Sequence, residues 1–279
     1  MDGILLINKE KGYTSRDVVN IVSKHFNTKK VGHFGTLDPL ATGLLVLGIG
    51  KYTKFQKVMD KEIKEYDVEV KLGVKTDTYD ITGNILDVEE IKNINFDELK
   101  QDLLSFKGKY MQEVPIYSAV KVNGKKLYEY ARENKFVILP KKEVEVYSIT
   151  NILLKEDILS FTCVVNKGFY IRSLINDLSS KTNILMTMNN LKRTRIDNFS
   201  INDSYTLNDI KKGNFTFYNI GNLLNYKGIE VDKNLELKIN NGVVFKNDYI
   251  DDKILFTKKG VPFALYKKEN GKYKIIFKF

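Results

Sequence analysis

Between Tyr66 and Leu72 the sequence alternates without a break, with Tyr66, Val68, Val70 and Leu72 on one side and Asp67, Glu69 and Lys71 on the other. A period of two marks an extended strand with one face covered and the other turned to water. Such a strand needs hydrogen-bonded neighbours and a layer packed on its apolar side, so the chain must build a sheet.

The flanking segments supply both. Gly3 to Ile7 is a short apolar strand, and Thr14, with Asp17 three positions on, caps a helix whose stripe is Val18, Val22 and Phe26. Lys30 to Gly43 is polar and Gly-rich and reads as a loop, and Leu44 to Ile49 reads as a buried strand. Phe96 to Phe106 reads as an amphipathic helix, and Val144 to Asn166 as two antiparallel strands about Lys155-Glu156-Asp157. Ile171, Leu174, Ile175 and Leu178 fall at helical spacing after the Asn166-Lys167-Gly168 turn. Helices and strands alternate irregularly, which predicts an α+β chain with a mixed, largely antiparallel sheet flanked by helices. After Phe199 the periodicity weakens until about Lys227, and short alternating segments punctuated by Gly242, Gly260 and Gly271 fill the last 52 residues. The expected organisation is a large domain over 1–227 and a small all-β domain over 228–279.

Charge narrows the partners. The 279 residues carry 45 Lys+Arg against 35 Asp+Glu, a formal +10, which asks for an anionic partner. A hydrophobic fraction of 43% excludes bulk disorder. No apolar run of about 18 residues is present and Met1 to Asn8 lacks the make-up of a signal peptide, so membrane and secretory readings are set aside. Cys163 alone forms no internal disulfide and, with only His25 and His33 beside it, no Cys/His zinc cluster, so a cytoplasmic setting is expected. The arginines are only Arg16, Arg132, Arg172, Arg193 and Arg195, so each position invites the question of what a guanidinium does there that a lysine cannot.

Four segments carry chemistry. In Gly32 to Gly43, Pro39 extends the backbone at Asp38 while Gly35 and Gly43 permit tight turns, presenting one carboxylate from a stiff loop; the plainer alternative is an Asp-Pro turn. Arg172 lies in the first turn of its helix, off the apolar stripe, where the helix dipole disfavours a cation; it has an anionic partner or is a solvated surface residue. Asp80, in Lys75 to Gly83, is a second carboxylate near Asp38 or a turn acid, and the residues favour the turn. Lys107 to Lys142 has nine Lys/Arg against three Glu with Tyr110, Tyr117, Tyr128, Tyr130 and Phe136 interleaved, the mixture a looped RNA needs, with Gly124 to Arg132 as a short helix on an insertion. Gly48 to Thr53 fails as a phosphate loop, because a Walker A motif needs Gly at Leu45 and the dinucleotide fingerprint needs Gly at Thr53. His25 reads as structural and Cys163 as a small buried hydrophobe.

Gly-His-Phe-Gly-Thr-Leu-Asp-Pro-Leu-Ala-Thr-Gly at 32–43 together with Lys-Gly-Phe-Tyr-Ile-Arg-Ser-Leu at 167–174 resembles the TruB-type tRNA pseudouridine-55 synthases. The likeness runs through Gly3 to Leu6, the Tyr66 strand, Lys75 to Thr78 and Tyr117 to Lys121 with Gly124 to Arg132. It implies the pseudouridine synthase fold, a shortened PUA-like RNA-binding domain over 228–279, and isomerisation of a T-loop uridine of tRNA to pseudouridine by base flipping, without cofactor or metal. It also implies that Asp38 is the catalytic aspartate, Arg172 its partner and Tyr66 the ring stacked on the target base. Read from its strand alone, Tyr66 is an ordinary core tyrosine. By the same likeness Tyr170 and Leu191 line the uridine pocket, His33 receives extruded nucleotides, and Asp80 joins the Asp38 and Arg172 network. The 107–142 insertion, with Lys121, Lys125 and Tyr128, grips the T stem-loop.

The carboxylate has three routes open to it: attack on the anomeric carbon, stabilisation of an oxocarbenium-like state, or removal of a proton from C2'. The chain departs from the family pattern in having Glu10 where many relatives have Pro after Lys9, and Phe34 where a small polar residue is usual. A stand-alone monomeric enzyme acting on tRNA is expected, with no obligatory protein partner and no membrane. The alternatives are a guide-RNA-dependent relative and a noncatalytic protein that captures the T loop.

Overall fold

The computed structural model describes residues 1–59, 62–220, 228–244, 246 and 251–279. In chain order it forms β1 (Gly3–Lys9), α1 (Ser15–His25), β2 (Val31–His33), β3 (Thr42–Ile49), a 3-10 helix (Gly50–Val58) and β4 (Lys64–Leu72). The hairpin β5 (Val74–Thr76) and β6 (Ile85–Val88) follows, then α2 (Phe96–Leu104), β7 (Gly108–Glu113), the small hairpin β8 (Lys121–Val122) and β9 (Lys125–Lys126), and α3 (Leu127–Arg132). Next come β10 (Lys141–Lys155), β11 (Ile158–Val165), α4 (Ile171–Thr182), β12 (Met186–Ile196), β13 (Phe199–Ser200) and α5 (Leu207–Lys212). β14 (Gly228–Glu230), α6 (Lys233–Asn240), β15 (Lys253–Lys258), β16 (Val261–Glu269) and β17 (Lys272–Lys278) complete the described chain.

The principal sheet runs β1-β3-β12-β4-β11-β10-β7, with β2 beside β3 and β13 beside β12. Its one parallel pairing among the described residues is the short meeting of β12 with β3, where Lys192 faces Thr42 and Arg193 faces Gly43. The class is the expected one, α+β on a mixed, largely antiparallel sheet. On β4, Tyr66, Val68, Val70 and Leu72 are all buried against α2 and α4, which is the layer their alternation demanded.

β3 shows why its sequence is a continuous apolar run. Leu45, Leu47 and Ile49 face α1 and α5, whereas Leu44 and Val46 face Phe55 and, from the C-terminal sheet, Leu255, Leu265 and Phe277. A strand covered on both sides has no polar face to alternate with. Thr14 caps α1 in a capping box with Asp17, as its spacing indicates. His25 packs edge-on against Phe26, and Cys163 is fully buried.

The structure adds elements that the periodicity does not reveal. Within 30–43, Val31–His33 pairs with the end of β3, a strand too short to show a period. The polar stretch after Phe199 holds α5, capped by Thr206 with Asp209, which buries only Leu207 and Ile210 and so leaves no stripe. The C-terminal four-stranded sheet is present, and α6 packs on it through Ile239, its single buried residue. The expected boundary at 227 falls on residues outside those described.

Gly43 is where β12 and β3 meet. Its φ is +98°, and a Cβ there would lie 2.3 Å from the Arg193 carbonyl oxygen, so only glycine permits this pairing. Gly43→Ala is expected to destabilise the chain by about 2–4 kcal/mol, from strain at positive φ added to a backbone clash. Chemical denaturation of the variant beside the wild type checks this, and an unchanged midpoint would show that the strands tolerate the extra carbon.

Candidate active site

The β2–β3 loop is held from several sides. The Phe34 amide donates to the Val46 carbonyl at 2.9 Å, and its ring is buried with Ile4 and Leu6, so an apolar residue at this position fits its surroundings. Ser15 Oγ accepts from the Leu37 amide at 2.8 Å and donates to the Leu37 carbonyl at 3.1 Å. The Pro39 carbonyl accepts from the Gly12 amide at 2.8 Å and from Lys9 Nζ at 3.4 Å. Support of the loop by the N-terminal segment therefore does not need a proline at position 10. Leu37, Leu40 and Ala41 are buried, whereas the Asp38 side chain between them is 34% exposed.

Arg172 meets that carboxylate two-pronged, with Nε 2.9 Å from Oδ2 and Nη2 3.2 Å from Oδ1. Its remaining donors reach the Thr78 carbonyl from Nη1 at 3.2 Å and the Tyr117 carbonyl from Nη2 at 3.1 Å. The guanidinium is 5% exposed, so the solvated-surface alternative does not apply. A carboxylate and two carbonyls offset the unfavourable end of the helix dipole. The start of α4 is itself fixed: buried Gln112 accepts from the Tyr170 amide at 2.9 Å and donates to the Tyr170 carbonyl at 3.1 Å, and Ser173 Oγ donates to the Glu113 carbonyl at 2.7 Å.

Asp38 and Arg172 open into a cavity of about 250 Å³ that Tyr66, Tyr170, Leu191 and Tyr128 also line. The Tyr66 phenol is pushed up by burial, opposed by the charge of Arg193. Burial also raises Tyr170, whose ring lies 4.3 Å below Lys142 Nζ. Lys142 is lowered by burial.

The other expected residues divide. His33 does not line this cavity; its imidazole is lowered by burial and then by Arg16 and Arg193. The Asp80 carboxylate accepts from the amide and hydroxyl of Thr82, closing its own turn, and that turn reaches Arg172 through the Thr78 carbonyl. Lys121 is exposed, whereas Lys125 pairs with Glu133 and lies 5.0 Å over the Tyr130 ring. Tyr128 lies under the Arg132 guanidinium at 5.2 Å and reaches the cavity wall.

Sequence reasoning missed Arg193, Lys9 and Gln112. For Arg193 a signal existed in its being one of five arginines in a chain that otherwise uses lysine. For Lys9 and Gln112 no local pattern announced burial.

A family model described as TruB family pseudouridylate synthase (N terminal domain) matches residues 23–171. The chain is 39% identical to the protein named tRNA pseudouridine synthase B of Caldanaerobacter subterraneus subsp. tengcongensis, covering 89% of this chain and 88% of that one. It is 37% identical to the protein of the same name from Acholeplasma laidlawii, across the whole of both. Among solved structures it resembles a chain of a Cbf5-Nop10-Gar1 complex, with TM-score 0.71 at 20% identity over 99% of this chain and 85% of that one, a likeness of fold.

Lys64, at the start of β4 beside Arg193, adds a titratable group under the loop. Burial, then Arg193, lowers it to about 8, against the opposing pull of Glu62 at 3.6 Å. The unfolded chain binds more protons at this lysine between pH 8 and 10.5, so stability is expected to rise with pH over that window. Relative to Lys64→Met, the wild type should gain roughly 1–2 kcal/mol between about pH 8 and about pH 10. Urea unfolding at both pH values measures this, and parallel slopes for the two proteins would contradict it.

Proposed function

The chain belongs to the TruB family of pseudouridylate synthases, and from that membership we propose that it converts uridine 55, in the T loop of tRNA, to pseudouridine, with Asp38 acting at the ribose. The observation that carries this is the two-pronged Asp38–Arg172 pair opening into the cavity that Tyr66 lines. Pseudouridine formation breaks the N1–C1' bond, turns the uracil, and joins C5 to C1' as a proton leaves C5 and one arrives at N1. The base must leave its stack and remain enclosed throughout. Each Asp38 oxygen gives one direction to Arg172 and keeps lone-pair capacity toward the cavity, so the carboxylate is oriented without being used up. Attack at C1', support of an oxocarbenium-like state, and removal of the C2' proton all start from this placement.

In this reading Tyr66 stacks on the base while Tyr170 and Leu191 enclose it. The 107–142 insertion grips the T stem-loop, with exposed Lys121 meeting phosphate and the Tyr128 ring at the cavity wall. Residues 1–227 form the catalytic domain, and the C-terminal sheet adds a PUA-like RNA-binding surface. The protein acts as a monomer on tRNA without a guide RNA, which the near full-length similarity to proteins named tRNA pseudouridine synthase B favours.

Asp38→Asn is expected to leave affinity for a T-stem-loop RNA within a few fold and to abolish isomerisation, because the lost charge acts on the chemical step. Pseudouridine detected at near wild-type rate would remove Asp38 from the reaction. RNA bound but unconverted by the wild type would point to a noncatalytic RNA-capturing protein. Lys-to-Ala changes in the 107–142 insertion should weaken binding and flatten its salt dependence by about 0.7 in log–log slope for each phosphate no longer neutralised. An unaltered slope would detach that face from the RNA.

A further inference from the structure

Arg193 is fully buried and heads the large side chains of the core, yet among the described residues no carboxylate lies within ion-pair distance of it. Its fork is spent on backbone carbonyls. Nε donates to the Leu44 carbonyl at 2.9 Å, Nη2 to the Gly35 carbonyl at 3.0 Å and Nη1 to the Thr36 carbonyl at 3.4 Å, and in the β12–β4 pairing Arg193 stands directly opposite Tyr66. One cation thus joins the first half of the Asp38 loop to the strand that follows that loop, from the β12 position that faces Tyr66.

This placement is costly. Lys9, Lys64 and His33 all feel the charge of Arg193, which adds to the burial that already disfavours their protonated forms. A buried cation among other cations is strongly disfavoured unless its donors are satisfied. A hydrophobic side chain would fill the same core without that cost, so packing alone does not account for an arginine. The geometry does: a planar fork serves carbonyls on two segments at once, and a lysine ammonium cannot span them.

We propose that Arg193 is a positioning residue that registers the Asp38 loop against the Tyr66 ring, so that carboxylate and ring meet the same nucleotide in a fixed relation. The proposal rests on the roles given above to Asp38 and Tyr66. Arg193 does not line the cavity and cannot touch RNA, so its removal acts on the chemical step and not on substrate affinity.

The test compares Arg193→Lys, which keeps the charge and loses the fork, with Arg193→Gln, which keeps donors and loses the charge. Single-turnover conversion of a T-stem-loop RNA and affinity for the same RNA are measured for each, beside Asp38→Asn and Tyr66→Leu. Both Arg193 variants should bind within about threefold of wild type and convert about 100-fold more slowly, the scale of a reacting group misplaced by about 1 Å. Tyr66→Leu should slow the wild type yet cost less than about threefold when added to Arg193→Gln, because the loop that the ring works with is already displaced. Conversion near wild type in both Arg193 variants, loss of affinity at unchanged rate, or additive Tyr66→Leu effects each overturn the proposal. Should neither Arg193 variant fold, hydrogen exchange at the wild-type Arg193 guanidinium decides, and exchange as fast as that of a solvated arginine overturns it. An inactive Asp38→Asn with active Arg193 variants sinks this inference alone, whereas an active Asp38→Asn sinks the functional reading beneath it.

Discussion

A carboxylate gripped at both oxygens by one guanidinium joins residues 134 positions apart, and the arrangement around it exists to make that grip possible. Asp38 comes from a loop between two strands and Arg172 from the first turn of a helix, elements that the chain builds from distant segments. The helix start is set by Gln112 on the backbone of Tyr170, and the loop by Ser15, Lys9 and Gly12. Hydrogen bonds to charged groups are stronger than neutral ones, and the low exposure of Arg172 keeps water from competing for them.

Beneath the pair lies a layer of buried cations satisfied chiefly by main-chain oxygens. Lys9 donates to the Glu10, Tyr13 and Pro39 carbonyls, and Arg193 to Gly35, Thr36 and Leu44. Carbonyls of an irregular loop have no strand partner, and burying them unsatisfied would cost about 1–3 kcal/mol each. Long basic side chains fill that need and leave the loop rigid without a second sheet above it. The close approach of β12 to β3 at Gly43 is what brings Arg193 under the loop.

The net charge of +10 has a different role from these buried groups. It is spread over lysines on the surface, where it favours encounter with a polyanion and says little about geometry. Around α3 the cations lie over tyrosine rings, Lys125 on Tyr130 and Arg132 on Tyr128, so the insertion presents charge and aromatic surface together. The C-terminal sheet contributes Leu255, Leu265 and Phe277 to the core on one face of β1 and β3, so it braces the catalytic sheet whatever else it binds.

Local pattern was enough for the class of fold and for most elements. The alternation from Tyr66 to Leu72, the stripe on α4 and the capping box at Thr14 each state their structure within a few residues, because period and capping are properties of one segment. The motif around Asp38 and the first-turn Arg172 were likewise legible, and the family likeness joined them. What only the tertiary structure decided is who meets whom. Asp80 sits in the right turn, yet its carboxylate closes on Thr82 while the Thr78 carbonyl faces Arg172, a matter of backbone direction that no spacing encodes. Arg193 and Gln112 became visible only when β12 and β7 were laid beside their partners, since a polar side chain satisfied by distant carbonyls or amides leaves no periodic trace in its own segment.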